Sequence, residues 1–404
     1  MKLFRLLLSC THTRALPSFA TQISVPLHYN IDNDGTLNLA FSHANLDDSS
    51  KPLLIVLVGG PGLAAIKPYD WFRKRAAMMG FRVVMYEHRG IGYSRRTAAG
   101  HDMPITAARM EFAARDIIAI LDHLGVQKAW VLGISYGVFL ALQLGVLAPD
   151  RIAGLFLDSG FPAARYEHYI RRRNRRLFWN GAYPPLRAIA QWIRKLNKMG
   201  RIGDSDIDPL FAVYEWFGPK TLERLLATFE KRPILEYWLL KKISRSILTK
   251  NIPYIWELDC VAPILYEETY PVRPDGKPLD RSRTFFNGSP LPPHQGLRPV
   301  DFEPQLSNFD WETVLFSGEW DTRTPPEIMA RMARRLPRNL HIVFPCTGHE
   351  MIRYRTSSVL NIMYATTSGG IDHACHVAQE QLSKSREARV IHIIRAYLNV
   401  RLRR

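Results

Sequence analysis

Gly133-Ile134-Ser135-Tyr136-Gly137 sets a serine between two glycines, directly behind the apolar run Ala129–Ile134. A serine hydroxyl is a poor nucleophile, and it attacks a carbonyl only when a positioned base takes its proton and a third group orients that base. The flanking glycines permit a sharp turn and a close approach of neighbouring backbone. Two later segments supply the partners: Trp320-Asp321-Thr322 follows the apolar run Thr313–Ser317, and Gly348-His349-Glu350 follows Leu340–Phe344. Each places its polar residue where a buried strand ends, the edge at which open α/β sheets gather ligands. With Ser135 as nucleophile, His349 as general base and Asp321 as the carboxylate that orients it, the chemistry is acyl transfer without a metal or organic cofactor. The developing oxyanion needs preorganised donors. The candidates are the N–H of Tyr136, at a helix start, and that of Gly60, in the loop Gly59-Gly60-Pro61-Gly62.

Rival assignments exist for each role. Asp158 also ends an apolar run and competes with Asp321 for the acid, while His88 ends another but precedes Ser135; His101 and His123 have no strand end behind them. The glycine-rich loop lacks the lysine and spacing of a phosphate-binding GxxxxGK[ST], so that use is rejected. His373 and His376 flank Cys375 without a second pair of ligands, and no metal is expected there.

The elements that must position these residues read as follows. Ile23–Tyr29 and Thr36–Ala44 alternate apolar and polar residues around Asp32-Asn33-Asp34-Gly35, the pattern of an antiparallel hairpin. Pro52–Val58, Phe81–Tyr86, Ala129–Ile134 and Ile152–Leu157 are continuous apolar runs, as strands buried on both faces require. Between them Thr106–Leu124 carries an amphipathic helical stripe, and Tyr136–Ala148 reads as a helix up to Pro149. Strands separated by helices predict a doubly wound, mostly parallel sheet. From Phe161 to about Asn308 the alternation stops in favour of aromatic-rich helices broken by prolines, with 24 basic against 16 acidic residues. The sheet pattern resumes at Thr313, and an amphipathic helix over Ala388–Leu402 closes the chain. The expected organisation is one catalytic core, residues 1–160 and 309–404, interrupted by a helical cap, residues 161–308.

Composition bounds the function. Of 404 residues 47% are hydrophobic and 23% charged, enough apolar material for a large core. Basic residues exceed acidic ones by 17, but apart from Arg171-Arg172-Arg173-Asn174-Arg175-Arg176 they are scattered and form no nucleic-acid module. Cys10, Cys260, Cys346 and Cys375 are widely spaced, which argues for free thiols and against a disulfide framework. No apolar run reaches the ~20 residues of a membrane span. Met1–Ser24 is basic and free of acids, and its Leu6-Leu7-Leu8 falls short of the ~7–15 residues of an export signal's apolar segment, although the composition also fits a targeting segment. The cytoplasm is the expected compartment, and the expected partner is a peptide or small-molecule substrate.

Taken together the motifs resemble the prolyl iminopeptidase-like and tripeptidyl aminopeptidase-like serine peptidases of the α/β-hydrolase fold. Val58-Gly59-Gly60-Pro61-Gly62 is similar to their HGGPG loop, and Glu87-His88-Arg89-Gly90-Ile91-Gly92-Tyr93-Ser94 to their DQRGxGxS segment. Gly133–Gly137 matches GxSxG, Gly318-Glu319-Trp320-Asp321-Thr322-Arg323-Thr324-Pro325 resembles GxxDxxTP, and Val25-Pro26-Leu27-His28-Tyr29 is similar to a VPLDY opening. The match covers residues 22–160 and 309–350; Val58 and Glu87-His88 depart from it beside the site. The resemblance implies an α/β-hydrolase with an inserted helical cap, acting as a serine aminopeptidase, with a carboxylic-ester or lactone hydrolase as the alternative on the same triad. It also implies cap glutamates that bind the substrate's free amine. Glu267 and Glu268 are the leading candidates, because they follow the apolar stretch Ile264-Leu265-Tyr266; Glu257 and Glu236 stand behind them.

Overall fold

The structure, a computed structural model, describes residues 15–231, 237, 241, 251–283 and 295–383. Its centre is an eight-stranded sheet: β1 (Ala20–Pro26), β2 (Thr36–Ala44), β3 (Leu53–Leu57), β4 (Arg82–Tyr86), β5 (Ala129–Ile134), β6 (Ile152–Asp158), β7 (Thr313–Gly318) and β8 (Asn339–Phe344). The spatial order is β1-β2-β4-β3-β5-β6-β7-β8. β1 and β2 form the expected hairpin and β2 lies antiparallel to β4; every other pairing is parallel. The strand order reverses between β3 and β5, and there the two connections leave on opposite faces and open a crevice at the strands' carboxyl ends.

Why these runs became strands is visible in their side chains. Alternate residues feed two separate cores: Ile55, Leu57, Val131, Leu155 and Leu315 on one face, Leu54, Val56, Leu132, Phe156 and Phe316 on the other. A sheet apolar on both faces must be covered twice. One cover includes α2 (Met110–His123) and α3 (Tyr136–Leu147); the other includes α1 (Asp70–Met78) and a long helix near the end of the described chain. The sequence pattern assigns no element to α1, whose hydrophobic contribution is small; Phe72 and Ala76 are its buried apolar residues. α2 begins at Met110, four residues later than the apolar stripe predicts. A short 3₁₀ turn, Ile105–Ala107, precedes it, and the break at Ala108 (φ −82°, ψ 84°) leaves the Met110 N–H to be capped by the carboxylate of Glu268.

Between β6 and β7 the chain carries α4 (Tyr166–Asn174), α5 (Arg187–Lys198), α6 (Ile207–Phe217) and α7 (Pro219–Lys231), and no strand occurs among the described residues there. These helices, with Phe178 on the turn Arg175–Trp179 that follows α4, build a third apolar cluster that includes Ile189, Phe211 and Leu226. Beyond β7 come α8 (Pro326–Ala333), α9 (Met351–Tyr354) and α10 (Thr356–Ser383), the last kinked at Gly369–Gly370. The helix expected over Ala388–Leu402 lies outside the described residues, as do Cys10 and Glu236. No helix among the described residues is long and apolar enough to cross a membrane.

One buried ion pair ties the hairpin to the site side of the sheet. Arg89 and Asp116 are both fully buried, with Nε and Nη2 of the guanidinium each 2.7 Å from a carboxylate oxygen. Arg89 also donates to the carbonyls of Pro26, Leu27 and Ala107, so one side chain joins β1, the loop after β4 and the approach to α2. Removing either partner leaves an uncompensated buried charge, at a cost of about 3–5 kcal/mol.

Candidate active site

Ser135 occupies the junction of β5 and α3 with φ 54° and ψ −114°, a left-handed conformation that an L-residue adopts only where its surroundings impose it. The glycines on either side explain how the turn is reached. A Cβ on Gly137 would stand 2.0 Å from the Leu57 carbonyl oxygen, and one on Gly133 2.5 Å from that of Gly137. The serine is thereby held up at the carboxyl end of the sheet, next to the strand-order reversal.

The three residues singled out for acyl transfer meet there. Ser135 Oγ donates to His349 Nε2 at 3.0 Å, and His349 Nδ1 donates to Asp321 Oδ2 at 2.9 Å. The tautomer follows from the acid, since a carboxylate only accepts. Asp321, on the turn after β7, is fully buried; its Oδ1 accepts the N–H groups of Arg323 and Thr324 at 2.8 Å and its Oδ2 the Thr324 hydroxyl at 2.5 Å. Burial alone would raise this carboxyl, but the His349 charge and these donors outweigh it and hold it well below the usual range. Burial likewise opposes charge on His349, and the Asp321 carboxylate beside it more than compensates, so the imidazole is lifted above its ordinary value. The base works only when neutral. Activity should therefore fall as pH drops through a midpoint above the ~6.5 of an unperturbed histidine, checked by kcat/KM profiles from pH 5 to 9. A flat profile across that range would remove His349 from the mechanism.

Tyr136 is the first residue of α3, so its N–H has no partner within the helix and lies at the positive end of the helix dipole. Gly60 lines the same cavity as Ser135, Tyr136 and His349, and Gly59 packs against the nucleophile, a Cβ there falling 3.2 Å from Ser135 Cβ. The rival residues have other partners. Asp158 accepts N–H groups at the start of α9, away from Nδ1 of His349. His88 Nδ1 donates to the Arg89 carbonyl at 2.7 Å while the Tyr136 hydroxyl donates to Nε2 at 3.0 Å; burial presses this neutral ring down to about 4.

The cavity above Ser135 has a volume of about 380 Å³. Phe139, Phe161, Ile170, Ala212, Leu265 and Leu279 give it an apolar wall. Glu267 and Glu268 are not part of that wall, which corrects the expectation drawn from the cap. They sit on the turn Ile264–Thr269, where Leu265 and Thr269 face the cavity, and the intervening acids turn to backbone N–H groups instead. Glu267 accepts from Gln295 and Leu297, and Glu268 from Met110. Glu257 similarly accepts from Gly92 and Tyr254.

The carboxyls that do face the cavity from the helices between β6 and β7 are Glu167 on α4 and Asp208 on α6. Asp208 Oδ1 pairs with Arg281 at 2.6 Å, whereas Oδ2 is buried without a hydrogen bond. Among the described residues the Glu167 carboxyl accepts no hydrogen bond, and burial raises it to about 8 against the opposing charges of Arg281 and Arg171. Arg171 and Arg175 in turn pair with Asp275 and Asp280. Three guanidiniums, Arg171, Arg175 and Arg281, thus face four carboxyls, Glu167, Asp208, Asp275 and Asp280. No local motif marks Glu167 or Asp208: they lie 41 positions apart in the chain and share the cavity and the charge of Arg281. Among the described residues no group of three or more histidine, cysteine or acidic side chains is placed to hold a metal.

Comparison with known proteins places the fold. A family model described as the alpha/beta hydrolase fold matches residues 52–219. The crystal structure of VinJ aligns with a TM-score of 0.50 at 15% identity, over 88% of this chain and 99% of that one, a likeness of fold alone. With the strand order and the turn at Ser135, the chain has the α/β-hydrolase fold.

Among curated relatives, it is 38% identical over 139 residues to RutD of Caulobacter sp. strain K31, named as a carbamate hydrolase, covering 34% of this chain and 48% of the relative. It is 30% identical over 200 residues to the proline iminopeptidase of Aeromonas sobria, covering 43% and 45%. The rhodomycin D methylesterase DauP of Streptomyces sp. strain C5 is 34% identical over 114 residues, covering 28% and 36%. The chain therefore spans about half the length or less of these relatives, and their names divide among carbamate, peptide and ester substrates.

Proposed function

We propose that the chain is a serine hydrolase working through an acyl-enzyme, and that it is an aminopeptidase releasing N-terminal residues or short peptides. Ser135 attacks the carbonyl while His349 takes its proton; the Tyr136 and Gly60 N–H groups receive the oxyanion, and His349 returns the proton to the leaving amine. Water then repeats the cycle on the ester. Residues 161–308 serve as the cap that selects the substrate.

The observation that carries the aminopeptidase reading is the unpaired acid in the cavity. A substrate ammonium loses its hydration on entering an apolar pocket, which is costly unless a carboxylate meets it. Among the described residues, Glu167 and Asp208 Oδ2 are the carboxyl oxygens in the cavity that accept no hydrogen bond, beside the amide oxygen of Asn174, and a substrate ammonium would favour the ionised form of Glu167. These residues take the role first given to Glu267 and Glu268. The relative named as a proline iminopeptidase supports the same reading.

A second reading, hydrolysis of a carboxylic ester or lactone, is favoured by one observation: with its carboxyl raised to about 8, Glu167 is largely protonated near pH 7 and tolerates an uncharged substrate. The two readings separate on one variant. Glu167→Gln is expected to lower kcat/KM for aminoacyl amides with a free amine by roughly ten- to a thousandfold and to leave p-nitrophenyl acetate within about twofold, the effect of losing one charge-assisted contact. Equal turnover of free-amine and N-acylated substrates by the unaltered enzyme, with no selective effect of Glu167→Gln, would favour the esterase.

A further inference from the structure

Asp158 and Ser159 perform no chemical step in the proposed reaction, yet both the nucleophile and the base are hung on them. β6 ends at Asp158 beside the end of β5, and the Asp158 carbonyl accepts the Ser135 N–H at 2.8 Å. Its carboxylate reaches the other way. Oδ1 accepts the Met351 N–H at 2.9 Å and Oδ2 the Ile352 N–H at 2.9 Å. Ser159 Oγ donates to Asp158 Oδ1 at 2.8 Å and accepts the Glu350 N–H at 3.0 Å. Three consecutive N–H groups after His349 are therefore held by two adjacent side chains, both fully buried. The chain leaving the histidine turns through the left-handed region at Glu350 (φ 67°), and Ser159 is left-handed as well (φ 57°). Such a pair of turns persists only where the surroundings over-determine it.

We infer that Asp158, with Ser159, is a positioning residue that keeps His349 Nε2 on Ser135 Oγ by clamping the loop after the histidine to the strand beside the nucleophile. The inference rests on the Ser135–His349 reading. Two acceptor oxygens are what the position requires: a carboxylate receives the Met351 and Ile352 N–H groups together, whereas an asparagine must turn its NH₂ towards one of them. Neither residue lines the cavity, so substrate binding is not their task.

The test compares Asp158→Asn and Ser159→Ala with the unaltered full chain. Asp158→Asn is expected to lower kcat about ten- to a hundredfold with KM within about twofold, the size of effect a small misplacement of a catalytic group produces. Ser159→Ala, which keeps the carboxylate, is expected to lose about three- to tenfold by the same split. In both, the low-field proton NMR signal of the His349–Asp321 hydrogen bond should broaden or move. If Asp158→Asn does not fold, Ser159→Ala carries the test alone. Wild-type kcat, or a kcat loss with the low-field signal unchanged, overturns the inference. Ser135→Ala keeps the two levels apart. An active Ser135→Ala enzyme removes the reading beneath, whereas an inactive one beside a fully active Asp158→Asn removes only the clamp.

Discussion

Ser135→Ala is expected to lower kcat by about four to six orders of magnitude while leaving the thermal unfolding midpoint close to that of the unaltered chain. The loss is large because the triad acts as a unit: without the hydroxyl, His349 has nothing to activate, and only the oxyanion donors and binding remain. Folding should survive because the removed atom makes one hydrogen bond, to His349, and leaves no apolar void. Steady-state kinetics on a p-nitrophenyl ester and an aminoacyl amide, run beside a calorimetric melt, make the check. More than a tenth of wild-type activity on either substrate would rule Ser135 out.

Asp321→Asn is expected to cost about four orders of magnitude in kcat. The geometry gives the reason. An asparagine can present its NH₂ to His349 Nδ1, which then has to accept, and the proton moves to Nε2, where it faces the serine and cannot receive another. The Arg323 and Thr324 N–H groups that now bind the carboxylate would hold the amide oxygen and so favour that wrong orientation. Asp158→Asn should be far milder, since Asp158 touches the loop and not the imidazole. If Asp158→Asn proved the more damaging of the two, the acid would be Asp158.

How much of this was legible in the sequence depended on whether the information was local. Strands β3 to β7 declared themselves because burial on both faces leaves an unbroken apolar run, as in Leu53–Leu57. β8 was recognisable although half of it is only partly buried, because it lies at the sheet's edge. Ser135, Asp321 and His349 could be singled out because each must sit at a strand end inside a short glycine-bearing turn, and the structure brings Ser135 and Asp321 each within 3.0 Å of the His349 ring.

What escaped was set by contacts between distant segments. The start of α2 is fixed by Glu268, 158 residues away, and no propensity at Thr106 could reveal that. Contacts of the same kind explain why Glu267 and Glu268 do not line the cavity: they follow an apolar stretch as a pocket acid would, but their carboxylates accept backbone N–H groups of Gln295, Leu297 and Met110. Glu167 stands near a run of arginines that reads as a solvated face. Arg171 and Arg175 instead turn inward to Asp275 and Asp280, and that acid pair is what makes the arginine run part of the cavity's charge balance.

The central claim, that Ser135 is an activated nucleophile in this site, is tested most directly by finding where a mechanism-based label goes. The full chain is treated with a fluorophosphonate, digested and sequenced by mass spectrometry, at pH 8 and again at pH 5. A single adduct on Ser135 is predicted, forming much more slowly at pH 5, where His349 carries a proton and cannot activate the hydroxyl. An adduct on any other residue, or labelling of Ser135 at the same rate at both pH values, would contradict the account.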